Sequence, residues 1–142
     1  MPITLCTEVK LPGRSLAATS VAGPSPQGRL FYVYDKSTAL RFLVDTGAEV
    51  SIIPPSSAER AAGPGELRLQ AINGSNIPTF GMRSLTLDLG LRRTFRWVFI
   101  IADVPQPVLG ADFLYHFGLL VDMRHCILSD STTQLRVQGV TC

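Results

Sequence analysis

The chain has 142 residues, 46% of them hydrophobic, and a formal net charge of +2. That is one ordinary domain with enough apolar content for a single core, and the charge is too small for the electrostatic footprint of a nucleic-acid-binding surface. Ten prolines and twelve glycines are spread along the whole length, which argues against long helices and for short elements joined by turns.

Residues 1–28 are small, polar and proline-rich, as in Leu11-Pro-Gly-Arg-Ser15 and Gly23-Pro-Ser-Pro-Gln-Gly28, and read as a flexible linker or N-terminal arm. Strand signals begin at Leu30-Phe-Tyr-Val-Tyr34. The turn-like Asp35-Lys-Ser37 and a second strand, Ala39 to Val44, make a hairpin of them. Ser51-Ile-Ile53 is a short apolar strand stopped by Pro54-Pro55, and Ser56 to Ala62 offers a single helical turn. Glu66 to Ile72 alternates with period two and runs into Asn73-Gly74, a strong hairpin signal, with Ile77 to Phe80 returning. Ser84 to Leu89 alternates again, and Phe95 to Ile101 reads as a strand buried on both faces. Ala111 to Phe117 is the one segment with the pattern of a real helix. Leu119 to Met123 and Cys126 to Leu128 suggest a late hairpin, and Gln134 to Val137 a last strand in the C-terminal tail 131–142, which pairs either within the chain or across a dimer. No internal repeat is visible. The expected fold class is all-β: a closed, mostly antiparallel barrel with one short C-terminal helix, occupying residues 29–130.

Cys6, Cys126 and Cys142 form neither a C-x-x-C pair nor a zinc-ligand spacing with His116 and His125. No metal site or cofactor is expected. Three isolated cysteines suit a reducing compartment. The start lacks the apolar run of a signal peptide, and no stretch has the length of a membrane span. The expectation is therefore an intracellular domain. The arginines 92, 93 and 96 read as a solvated hairpin tip, and the two histidines as surface or satisfied core groups, since no nucleophile pattern accompanies them.

The segment that carries chemistry is Phe42-Leu-Val-Asp-Thr-Gly-Ala-Glu-Val-Ser-Ile-Ile53. An apolar strand delivers Asp45 straight into a Thr-Gly turn. Taken alone, Asp-Thr-Gly is an ordinary strand-ending turn. With apolar residues on both sides, the turn is drawn toward the core, where a carboxylate is costly unless something pairs with it or uses it. A second segment, Pro107-Val-Leu-Gly-Ala-Asp-Phe-Leu114, again ends an apolar strand in a glycine and then opens a helix, with Asp112 at a helix start that favours an acid.

These segments, in this order and with the Asn73-Gly74 hairpin between them, resemble the retropepsin family, the proteases of retroviruses and LTR retrotransposons. Phe42 to Glu49 resembles its catalytic loop, Ile72-Asn-Gly-Ser-Asn-Ile77 its flap, and Val108-Leu-Gly-Ala-Asp-Phe-Leu114 its closing strand and helix. The wording is closest to gypsy-type retrotransposon proteases, and the resemblance covers roughly Arg29 to Leu128. It implies a retropepsin-like acid-protease fold and an aspartic endopeptidase active as a homodimer. Asp45 would be the catalytic acid–base, supported by Thr46 and Gly47. Leu43, Ala48, Glu49, Asn73, Gly74, Ser75 and Val108 would face a polypeptide substrate, the chain's own Gag-Pol-like polyprotein, in the cytoplasm or inside virus-like particles.

The chemistry is consistent with that resemblance. Peptide hydrolysis without a metal or covalent nucleophile needs a base for water and an acid for the carbonyl oxygen. Two carboxylates close enough to share a proton supply both, because their like charges cannot both ionise. With a single Asp-Thr-Gly per chain, a second copy must bring the other aspartate across a two-fold axis. One departure from the viral pattern is Glu49, where Asp is usual, together with Ala111, where an arginine usually pairs with that acid. Three other readings compete: a cellular retropepsin-like protease, a catalytically idle β-barrel interaction module derived from a retroelement, and a dUTPase-like barrel, whose nucleotide-binding motifs are not found.

Overall fold

A computed structural model of the chain describes residues 30–70 and 76–141 in full and the backbone of residues 6–11 and 14–19. Within the stretch read as a linker, β1 (Cys6–Leu11) and β2 (Arg14–Thr19) pair antiparallel, from Cys6 opposite Thr19 to Leu11 opposite Arg14. Thr7-Glu-Val-Lys10 alternates in the way a strand does, but it is short and followed by Pro-Gly, so composition does not mark it.

The hairpin of β3 (Phe31–Tyr34) and β4 (Arg41–Val44) follows the sequence reading. Its turn is tied by Asp35, fully buried, whose carboxylate accepts hydrogen bonds from the Ser37 N–H (3.1 Å), the Ser37 hydroxyl (2.8 Å), the Thr38 hydroxyl and the Asp88 N–H (2.7 Å). Burial alone would raise the pKa of this carboxyl; the hydrogen bonds outweigh it and hold the pKa below the ordinary value. After β5 (Ile52–Ile53), α1 (Ser57–Ala62) forms a full short helix where one turn was expected. Ser56 and Glu59 close a capping box over its start, and Glu59 also accepts hydrogen bonds from Nε and one terminal nitrogen of Arg83. The Arg83 guanidinium, with the Ser56 N–H behind it, lowers the Glu59 pKa to about 2.

β6 (Arg68–Gln70) and β7 (Asn76–Asp88) pair antiparallel up to Gln70 opposite Asn76, so they form the arms of a hairpin around residues 71–75. The two short strands expected over 77–89 are one. A bulge between Thr79 and Met82 carries the strand past Gly81, whose φ of +99° suits a residue without a side chain. β8 (Thr94–Ala102) pairs with β7 along nearly its whole length. It is not buried on both faces: Phe95 and Phe99 point into the core, while Arg96 and Val98 are exposed. β9 (Val108–Leu109), α2 (Ala111–His116), β10 (Leu119–Asp122), β11 (Ile127–Asp130), β12 (Arg136–Gln138) and β13 (Val140–Thr141) complete the chain.

Ten strands form one sheet in the order β13-β3-β4-β9-β5-β8-β7-β6-β1-β2, and β10-β11-β12 form a second. The expectation of a closed barrel with one helix is corrected on both counts. Among the described residues the large sheet ends in two edges, β13 and β2, and there are two short helices. The mostly antiparallel, β-dominated character stands, with parallel pairing confined to β4 with β9 and β5 with β8. Phe31, Phe42, Phe95, Phe99 and Phe113 fill the main core together with Leu87, Leu109 and Leu128. In the tail, both strands pair within the chain: β12 on β11, and β13 on β3, with Val140 opposite Tyr32. Gly139 lets β13 approach, since a Cβ there would sit 2.1 Å from the Phe31 ring.

The turn at Asp35 recurs at Asp130. In each, the aspartate N–H donates to a leucine carbonyl five residues on, Leu40 (2.9 Å) or Leu135 (2.8 Å). A residue of positive φ, Ala39 or Gln134, precedes each leucine and donates its N–H back to the aspartate carbonyl. Asp130 is buried and paired with Arg93 through two contacts of 2.7 and 3.1 Å. Burial pushes its pKa up, but Arg93 and the Thr132 N–H pull it further down, to a net value below the ordinary one.

Candidate active site

The site is built where β9 slides between β4 and β5, parallel to β4 and antiparallel to β5. The connection from Asp45 to Ser51 must therefore straddle the end of β9. It is held there by the chain that follows β9. The Asp45 N–H donates to the Leu109 carbonyl (3.0 Å), the Ala111 N–H to the Ala48 carbonyl (2.6 Å), and the Asp112 N–H to the Glu49 carbonyl (3.1 Å). Gly110 makes this crossing possible. A Cβ on it would lie 2.6 Å from the Val50 oxygen and 2.7 Å from the Ala48 oxygen.

Side chains complete the brace. The Ser51 hydroxyl donates to Asp112 Oδ1 (2.7 Å) and accepts the Gly110 N–H (2.8 Å), and the Ser51 N–H reaches Asp112 Oδ2 (3.2 Å). Asp112 Oδ1 also accepts the Phe113 N–H (2.7 Å). Sequence reading saw Asp112 only as an acid at a helix start and did not single out Ser51. The two stand far apart in the chain, and nothing short of the topology brings them together.

Asp45 is 2% exposed. One carboxylate oxygen accepts the Gly47 N–H (3.0 Å), and the Ala48 N–H donates to the Asp45 carbonyl (3.2 Å), so the Asp-Thr-Gly turn is folded back on its own aspartate. Thr46 beside it is exposed and Gly47 half-buried. A carboxylate this buried, on a loop fixed by backbone hydrogen bonds and a glycine crossing, is pre-positioned.

Leu43, Ala48 and Val108, expected to face substrate, are buried together with Leu30 and Tyr32 in one apolar cluster. Leu43 lies opposite Val108 in the β4–β9 pairing. These residues form the floor beneath the Asp-Thr-Gly turn. Glu49 is exposed, and its side chain makes no ion pair among the described residues, with Ala111 half-buried nearby. Asn73, Gly74 and Ser75 lie outside the described residues; β6 and β7 on either side of them make the hairpin that would carry them. Among the described residues there is no cluster of His, Cys, Asp and Glu that could hold a metal ion, and no helix is long and apolar enough to cross a membrane.

No protein-family model matches the chain. Among solved structures, it is similar to the crystal structure of the retroviral protease-like domain of Ddi1 from Leishmania major. The two are 18% identical with a TM-score of 0.59, over 80% of this chain and 95% of that one. At that identity the likeness is one of fold. Its coverage takes in nearly all of the other domain, and the chain has a retropepsin-like fold.

Proposed function

We propose that the chain is one protomer of a homodimeric aspartic endopeptidase in which the Asp45 carboxylates of two copies share a proton across a two-fold axis. The observation that carries this reading is Asp45 itself. It is a buried acid on a turn clamped from β4, β9 and α2, with an exposed threonine next to it. Asp35 and Asp130 are buried as well, but each ties a turn of the scaffold; Asp45 lies instead in the Asp-Thr-Gly turn that resembles a retropepsin catalytic loop, and that placement supports a chemical role for its burial. In the dimer the ionised aspartate takes a proton from water as it attacks the peptide carbonyl. The protonated one gives its proton to the carbonyl oxygen, and the roles reverse as the amine leaves. The apparent pKa values belong to the pair. The β6–β7 hairpin closes over an extended peptide and hydrogen-bonds its backbone, a form of strand addition. The substrate is a polypeptide cut between apolar residues, the polyprotein of a retrotransposon of the gypsy type, in the cytoplasm or inside virus-like particles.

The test is Asp45→Asn in the full chain. The change is nearly isosteric, so melting temperature should hold while kcat/KM on an apolar peptide falls by about 10³-fold or more. Sedimentation of the wild type should show specific activity falling on dilution in step with the dimer fraction. An Asn variant that cleaves at the wild-type rate, or activity that follows monomer concentration, removes this mechanism.

A further inference from the structure

Away from Asp45, a cleft of about 410 Å³ is lined by Ser84, Arg96, Trp97, Val98 and His116. It lies at the far end of α2, whose other end meets the catalytic loop through Ala111. Its volume falls at the small end of the range for ligand pockets. No acidic residue lines it among the described residues. Arg96 donates through Nε to the Ser84 hydroxyl (3.3 Å) and has no carboxylate partner among the described residues. The indole of Trp97 stands 5.0 Å from the His116 ring, centroid to centroid, and its Nε1 is buried with no acceptor among the described residues. Val98, 55% exposed, gives the cleft an apolar wall.

The cleft also borders free backbone. β5 pairs with β8 only at Ile100 and Ile101, and the Ile100 N–H reaches the Ser51 carbonyl (3.2 Å) on that side. In a pleated strand alternate residues turn their backbone groups the same way. Val98 and Arg96 therefore present N–H and C=O on the side where, among the described strands, none continues beside them. A cation without a counter-ion, an apolar wall and an unpaired strand edge are the three elements that recognise an extended peptide ending in a carboxylate.

We propose that this cleft binds the free C-terminal carboxylate of a peptide whose last residue is apolar, with Arg96 as the anion partner and the β8 edge as the strand it adds to. The inference leans on the protease reading in one respect only, the source of the ligand: cleavage between apolar residues generates such ends. The cleft would then hold a cut product away from the catalytic turn.

Trp97 is the only tryptophan in the chain, so its emission reports on the cleft directly. The experiment uses the full chain carrying Asp45→Asn, titrated with acetyl-Ala-Ala-Leu-Phe as the free acid and as the C-terminal amide. Trp97 emission and calorimetry are followed together. The acid should bind at least tenfold more tightly than the amide, and Arg96→Gln should erase that difference while leaving wild-type-background cleavage of a separate apolar substrate unchanged. Equal affinity for acid and amide, a tenfold preference that survives Arg96→Gln, or no saturable signal in either measurement up to millimolar peptide overturns the proposal. Cleavage by the wild type is read independently, so loss of the cleft leaves the protease reading standing, and loss of cleavage leaves the binding result interpretable.

Discussion

Gly110→Ala tests the crossing that fixes the Asp-Thr-Gly turn proposed to be catalytic. Gly110 has φ −97° and ψ −177°, extended backbone that alanine adopts without strain, so the substitution probes space alone. The new Cβ would lie 2.6 Å from the Val50 oxygen, 2.7 Å from the Ala48 oxygen and 2.8 Å from the Val50 carbonyl carbon. All three are backbone atoms and cannot swing aside as a side chain can. The loop must retreat by roughly 0.7 Å to reach ordinary contact. Overpacking of this kind costs about 1–3 kcal/mol. The retreat also stretches the hydrogen bonds from Gly110 to Ser51 and from Ala111 to Ala48, each worth roughly 1 kcal/mol. The expected loss is about 3–5 kcal/mol, a large part of a typical domain's 5–15 kcal/mol. Where the variant still folds, a shift of that size at the acid–base should lower kcat/KM by roughly 10²-fold. Urea denaturation and peptide kinetics measure the two effects. Gly65→Ala is the control, because its nearest neighbour would be a carbonyl oxygen 3.9 Å away. A Gly110→Ala protein with the wild-type midpoint and wild-type kinetics refutes the argument.

Ser51→Ala removes the hydroxyl that joins Gly110 to Asp112, leaving an N–H and a carboxylate short of a partner; stability should fall by about 2–3 kcal/mol in urea denaturation. Arg93→Met strands the buried Asp130 carboxylate and should cost about 3 kcal/mol or more, with Asp130→Asn added on top recovering part of it in a double-mutant cycle. Thermal stability should be level from neutral pH down to about 5 and then fall with acid, because Asp35, Asp130 and Glu59 are all held below their unfolded pKa values; a melting temperature that stays flat to pH 3 contradicts this.

Much of the fold was legible because its strands announce themselves locally. Phe31–Tyr34, Arg41–Val44 and Thr94–Ala102 are β-branched or aromatic runs between turn residues, and Ala111–His116 opens after a glycine and packs Phe113 inward. The burial of Asp45 was legible for the same reason: apolar flanks on both sides of Asp-Thr-Gly draw the aspartate inward, although Thr46 next to it stays exposed. The brace was not. Ser51 and Asp112 are ordinary residues in isolation, and only the insertion of β9 between β4 and β5 joins them. The likeness of the Asp35 and Asp130 turns escaped because it rests on one aspartate, hydroxyl residues and a leucine, too few letters to mark a repeat. The open sheet was missed because alternation says which face of a strand is buried and is silent on whether its last edge finds the first. Leu43 is expected at the site because it precedes Asp45 by two on one strand, and Val108 because it lies on the closing strand; they pair opposite each other and are buried in the floor beneath the turn.

The proton places opposite demands on the proposed enzyme. The Asp45 pair works only while it retains one proton between two carboxylates, which favours acid. The scaffold works only while Asp35, Asp130 and Glu59 have lost theirs. For these three groups the folded pKa lies below the unfolded one, near 3.8 for the aspartates and 4.5 for Glu59. Their contribution is therefore complete above those values and drains away as pH drops toward the folded pKa, about 2 in the case of Glu59. Asp130 governs the turn between β11 and β12 and, through Arg93, the end of α2, since Arg93 also donates to the Phe117 carbonyl (2.7 Å). α2 in turn begins at the catalytic loop. Acid strong enough to protonate Asp130 loosens the helix whose first residues hold Asp45 in place. Activity should thus peak in mild acid and collapse on its acid side by loss of structure, steeply and together with the melting transition. On its alkaline side it should fade as a single titration of the pair, with the fold intact.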